Sequence, residues 1–236
     1  MSSQSKFVGF PKEGLQFLRD LSANNNRDWF KTHEQSYRDN LLEPARLFVI
    51  DLGQRLKSII PGISYDPQTN GAGSIMRIYR DIRFSKDKTP YNTYLRIIFW
   101  EGPLKKTENP GIYFSMDADE AVIYMGVHIF TKEQLDAFRQ AVLDRGLGSE
   151  LVQALADVQA AGDYETGGAT YKRVPAGYPA EHARAQYLLY TGLYAMSPKI
   201  KPELFTQPAL VDVCFEHCRN MAPIHHWLVE MIKVSA

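Results

Sequence analysis

Arg77, Arg80, Arg83, Lys86 and Lys88 put five cations into the run RIYRDIRFSKDKTPYNT at positions 77–93, with the carboxylates of Asp81 and Asp87 between them. Guanidinium forks bind phosphate or carboxylate through paired N–H donors, and ammonium groups bind them as point charges. The chemistry such a run suits is therefore recognition of an anion. An unpaired charge that is even partly buried costs on the order of several kcal/mol, and residues 74–83 otherwise read as a strand in a core. The charges on that strand need partners, which makes this segment the candidate site. Ser85, Lys86, Lys88 and Thr89 follow on a turn-forming stretch that ends at Pro90 and Tyr91. Two ammonium groups, two hydroxyls and turn amides are the components of an anion-binding nest. The stretch lacks the glycines of a Walker loop, and a charged turn that only keeps a connection solvated is the competing explanation.

Strand side chains alternate between two faces. On residues 74–83, Met76, Ile78, Ile82 and Phe84 share a face with Arg80, and Arg77, Tyr79, Asp81 and Arg83 share the other. The same division of three further segments sets Arg96, Tyr113, Tyr124 and His128 apart from apolar partners. If the apolar sets all face helices, the opposite face displays Arg and Tyr together. The ligand-binding set expected is thus Arg77, Tyr79, Arg83, Ser85, Lys86, Lys88, Tyr91 and Arg96. Its ligand is a small anion carrying phosphate, and phosphoryl or phosphodiester chemistry would have His128 or Asp81 move protons. A non-enzymatic module for single-stranded nucleic acid or for a protein is the alternative, with the charged motif partly structural. Arg80, on the apolar face, is expected in a structural ion pair with Asp28, Glu34 or Asp51, because a guanidinium keeps its proton. Asn24, Asn25 and Asn26 read as helix caps, with Arg27 and Trp29 at the rim of the site.

No metal site is expected. HExxH, DxDxDG and paired CxxC patterns are absent from the sequence, and Asp81, Asp87 and His128 could share a divalent ion only if the loop folded back. The residues name no cofactor. Cys214 and Cys218, four apart on a helix, read as buried structural thiols. No GxSxG elbow occurs, so hydrolysis by a nucleophile-elbow triad is not expected.

The elements that position these groups follow from periodicity. Helices are expected from Pro11, from Arg27, over 44–60, from a capping box at Thr131 and Gln134, and over 151–161, with Pro208 and Pro223 each opening one near the C-terminus. Strands are expected over 74–83, 94–101, 111–117 and 121–130, and 162–177 reads as a loop or hairpin. Connections this short force antiparallel pairing. The expected fold is α+β, an antiparallel meander of four to six strands packed on one face by N- and C-terminal helices, in one domain over 1–236. Lys+Arg and Asp+Glu both number 27, so any anion binding must come from local clustering rather than a global field. The N-terminal MSSQSKFVGF lacks the apolar core of a signal peptide and no apolar run reaches a membrane-spanning length, so a cytoplasmic protein without a membrane partner is expected.

The 77–93 run, with NNNRDWF at 24–30 before it, resembles the bacterial and fungal family called domain of unknown function 2461. Shorter matches lie at Gly126 with the 135–139 stretch LDAFR, and at KRVPAGY of 172–178 with His182. Thr131 and Ala183 stand where proline is more usual in that family. The resemblance implies a single α+β domain with no agreed activity, and so carries over no catalytic residues.

Overall fold

The computed structural model describes residues 6–234; residues 1–5, part of the stretch read for a leader, lie outside it. The chain opens with α1 (Lys12–Ala23), which follows Pro11 and buries Leu15, Phe17, Leu18 and Leu21 on one side. The side chain of Asn26 accepts from the Trp29 amide and starts α2 (Arg27–Tyr37). A π-helical turn at Arg38–Leu42 then carries the chain without a break into α3 (Glu43–Leu56).

The sheet begins with β1 (Leu95–Trp100), β2 (Gly111–Met116) and β3 (Ala121–Val127), an antiparallel meander with Ile97 opposite Phe114 and Phe114 opposite Ile123. Two helices follow. Thr131 and Gln134 form the reciprocal capping box of α4 (Lys132–Leu143), and the Asp144 carboxylate accepts from the Gly146 and Leu147 amides to open α5 (Arg145–Ala160). The helix opened at Thr131 reads from sequence as running to about Arg145 and stopping before Gly146, but the break falls at Asp144 and Gly146 lies inside α5, because a carboxylate that satisfies two orphan amides is a stronger start signal than a glycine is a stop. β4 (Glu165–Ala169) and β5 (Tyr190–Met196) complete a five-stranded antiparallel sheet in the order β1-β2-β3-β5-β4. β5 pairs with β3 and sends β4 to the outer edge, so only the first three strands are a meander. β4 bulges at Gly168, whose φ of +127° would drive a Cβ into the Gly192 carbonyl.

The chain ends in α6 (Ala209–Val234), one helix with Pro223 in its interior. Pro223 was expected to open a separate helix. Its missing N–H removes one intrahelical bond, but the buried face from Leu210 to Met231 is continuous across it and holds the two halves together. α6 lies along β3 and β5, and α3 packs beside it with the Phe48 ring 4.8 Å from that of Phe114. Burial of such side chains stabilises by about 1.5–3 kcal/mol each. Leu95, Ile97 and Phe99, Ile112, Phe114 and Met116, and Ile123, Met125 and Val127 face these helices and are buried. The architecture is α+β, as the segment pattern indicates. No helix among the described residues is long and apolar enough to cross a membrane.

One expected strand is not a strand. Residues 74–83 make isolated bridges in two places: Ile75 with Ile97 of β1, and Tyr79 with Tyr91. The Met76 amide donates to the Arg96 carbonyl and the Ile98 amide to the Ser74 carbonyl, after which the segment leaves β1 and the Arg80 amide bonds to Pro90. Its apolar alternation then lapses, with Ile78 6% exposed but Phe84 94% exposed. Asp81 and Asp87 are the cause, because their carboxylates accept from the amides of Arg83 and Thr89 two residues on. Such local turns compete with a ladder.

Candidate functional site

The face of the sheet turned away from the helices is open. Across it Tyr113 stands opposite Tyr124 in neighbouring strands and Gly126 opposite Tyr194. The rings of Tyr124 and Tyr194 meet edge to face at 6.0 Å, and His128 packs on Tyr194 at 5.3 Å. These groups, with Ser115, Arg96 and Met76, line a groove of about 570 Å³. Arg96 and Met76 also line a second cleft of about 460 Å³, shared with Arg77, Tyr79, Arg80, Asn92 and Lys106. The groove and the cleft thus adjoin at these two side chains, and both have the size of small-molecule sites.

The cleft is cationic. Arg77, Arg96 and Lys106 have no carboxylate within 4 Å among the described residues, whereas Arg80 is paired to Asp87. The Arg96 guanidinium uses one N–H on the Arg77 carbonyl at 3.2 Å, and no bond of the Arg77 guanidinium occurs among the described residues. Each therefore keeps donors for a ligand, out of the five a guanidinium carries. Lys106 differs. Its Nζ donates to the carbonyls of Ala72 and Gly73 at 2.9 and 2.6 Å and approaches that of Gly71 at 3.5 Å, strapping that loop to the β1–β2 connection. Burial holds its pKa below the ordinary lysine value, with Asp66 opposing and Arg77 adding to the effect. It supplies fixed charge more than free donors.

The outer loop closes on itself. Arg83 makes a two-pronged pair with Asp81, with N···O distances of 2.6 and 2.9 Å, and both side chains are exposed. Hydrogen bonds from the Arg83 side chain and amide pull the Asp81 carboxyl down to about 2. Asp87 is likewise lowered to about 2, first by the Thr89 amide and then by Arg80 and the Thr89 hydroxyl. Arg80 also donates to Thr89, and Lys88 to the Ile82 carbonyl at 2.9 Å. The partner of Arg80 is thus Asp87 in its own loop. Glu34 pairs with Arg38 and Asp51 accepts from the Phe7 amide.

The base of that loop is anchored by Asn25. Its side chain donates to the Tyr91 carbonyl at 2.9 Å and accepts from the Tyr91 amide at 3.1 Å, while the Tyr91 ring stacks on Phe30 at 4.2 Å. Asn24 and Asn26 cap helices, but Asn25 does a different job, completing both backbone bonds of Tyr91 as a neighbouring strand would.

Of the residues singled out from sequence, the structure brings Arg77, Tyr79 and Arg96 to the cleft, and Tyr113, Tyr124 and His128 to the groove. Arg83, Lys86 and Lys88 stand on the exposed loop, with Ser85 partly covered beside them, and Tyr91 is only 4% exposed and belongs to the packing. Asp81 borders the cleft with its carboxylate committed to Arg83. Sequence reasoning missed Lys106 and Tyr194. Lys106 follows Lys105 in the β1–β2 connection, a doublet next to the right edge of the sheet; the alternation of 190–196 could have flagged Tyr194. Among the described residues no three His, Cys, Asp or Glu side chains are grouped so as to hold a metal ion. Cys214 and Cys218 are free and buried, and burial raises both thiols well above the ordinary value.

No curated protein matches the chain. The family model described as conserved hypothetical protein (DUF2461) matches residues 13–227, nearly the whole length over which the cleft, the groove and the Asn25 anchor are built, and the chain belongs to that family.

Proposed function

We propose that the protein binds a phosphate-containing anion in the cleft of Arg77, Arg96 and Lys106. The observation that carries this reading is the convergence of three cations, none with a carboxylate within 4 Å among the described residues, on one cavity of about 460 Å³ whose lining carboxylate, Asp81, is paired with Arg83. Two guanidinium groups with spare donors suit the tetrahedral oxygens of a phosphate, and the fixed ammonium adds attraction. Phosphoryl or phosphodiester chemistry would need a proton carrier, and His128 is the groove residue that fits it; Asp81, doubly bonded to Arg83, does not. The free thiols fit a reducing compartment such as the cytoplasm. The pairs Arg80 with Asp87 and Arg83 with Asp81 support a structural role for the outer half of the charged motif, the part of the alternative reading that makes the motif partly structural.

Titration calorimetry with pyrophosphate tests this. A hydrogen bond to a charged group contributes about 1.5–3 kcal/mol, so Arg77→Ala and Arg96→Ala should each weaken binding about 10- to 150-fold. Arg83→Ala should leave it unchanged. Equal affinity in wild type, Arg77→Ala and Arg96→Ala, or no binding to wild type, would refute the reading.

A further inference from the structure

We infer that the ligand of this site is a nucleoside monophosphate, its phosphate in the cationic cleft and its base in the tyrosine-lined groove. The inference rests on the anion reading above and adds the identity of the group that the phosphate carries.

Three observations lead to it. First, Arg96 and Met76 line both the groove and the cleft, so a ligand held by Arg77 and Arg96 can extend onto the open sheet face. An inorganic anion would leave that face unused. Second, the groove wall is built of rings: Tyr113 and Tyr124 are cross-strand neighbours, and Tyr194 touches both Tyr124 and His128. These tyrosines are partly buried and partly open to a ligand, and a phenol hydroxyl can meet polar ring atoms. Flat π-systems are the partners such walls favour, and base stacking on aromatic side chains tolerates any base. Third, charge is distributed along the same axis, since the cations stand at one end and the ring-lined groove contributes one cation, Arg96, at the junction. A molecule with a dianionic end and a neutral planar end matches that gradient. A phosphosugar matches only the first half.

The test is calorimetric titration of wild type with adenosine 5′-monophosphate, uridine 5′-monophosphate, ribose 5-phosphate and pyrophosphate, and of Tyr124→Leu with the same set. Stacking on one aromatic side chain corresponds to about 5- to 150-fold in affinity, so both nucleotides should bind at least about fivefold tighter than ribose 5-phosphate. Tyr124→Leu should erase that advantage and leave ribose 5-phosphate binding as it was. If all phosphates bind wild type alike, the base assignment falls while the anion reading stands. If none binds, both fall. The wild-type comparison decides even if the variant fails to fold. A short oligonucleotide that binds far more tightly than either monophosphate, with affinity rising with length and falling steeply with salt, would overturn the mononucleotide assignment in favour of a single strand.

Discussion

Replacing Asn25 by alanine should loosen the whole charged segment, although Asn25 carries no charge and lines neither the groove nor the cleft. Its side chain completes two bonds to the backbone of Tyr91, at 2.9 and 3.1 Å. A net contribution of about 0.5–1.5 kcal/mol per bond gives about 1–3 kcal/mol for the pair. The upper half of that range applies, because Tyr91 is 4% exposed and an orphaned amide and carbonyl there could reach little water. For a chain of this size about 2–3 kcal/mol lowers the thermal midpoint by about 5–10 °C. Asn25→Asp provides an internal comparison: it keeps the acceptor for the Tyr91 amide but turns a carboxylate toward the Tyr91 carbonyl, and should be at least as damaging. Urea denaturation gives the global number. Hydrogen exchange gives the local one, through the amides of Arg80 and Asn92, which donate to the carbonyls of Pro90 and Ile78 across the segment's base. Both amides should lose protection before those of β2. A stability change under about 0.5 kcal/mol, the range of an ordinary surface substitution, with unchanged protection at Arg80 and Asn92, would refute the anchoring role.

Gly126→Ala should destabilise by at least about 2 kcal/mol in urea titration, since Gly126 has φ +138° and a Cβ there would lie 2.2 Å from the Leu193 carbonyl oxygen in the pairing of β3 with β5; wild-type stability would refute it. His225, buried on α6, shares a 2.9 Å hydrogen bond with the Glu101 carboxylate just beyond β1, and burial holds its pKa below the ordinary value. The unfolded chain therefore takes up a proton that the folded one refuses, so the stability from this group is present above about pH 6.5 and is lost as pH falls below it. His225→Gln should flatten the slope of stability between about pH 7 and pH 5.5; an identical slope in both proteins would refute the assignment.

Much of this architecture can be read from the residues because its signals are local. The alternation of 95–100, 111–116 and 121–127 marks β1 to β3, and Thr131 with Gln134 marks the start of α4. The segment 74–83 misleads for a physical reason. Its β-branched and aromatic residues alternate as in a strand, but Asp81 and Asp87 sit where their carboxylates can bond amides two residues on, and that local option wins once the chain has passed the Tyr79–Tyr91 bridge. The error carries forward into the site. Assigning Arg83 to the same face as Arg77 assumes a strand that continues to 83, whereas the continuous part ends sooner and Arg83 meets Asp81 instead. Arg96 was legible because β1 is a true strand. Lys106 and Asn25 act through backbone groups far off in sequence, the 71–73 carbonyls and Tyr91, and no periodicity encodes such meetings.

The irregular pairing along β1 and the Gly168 bulge in β4 affect how copies of this chain meet one another. An open sheet ends in two rows of unpaired amides and carbonyls, and a flat, long row invites a second molecule to add its own strand. Here one border is already occupied, because Ser64, Ser74 and Met76 take up backbone groups of β1 without forming a strand that could itself be extended. The other border is a five-residue strand with two adjacent glycines and a bend at Gly168. It offers a guest strand few side chains to pack on and no straight ladder to copy. The open tyrosine face can thus stay exposed without the sheet becoming a template for self-association through its edges.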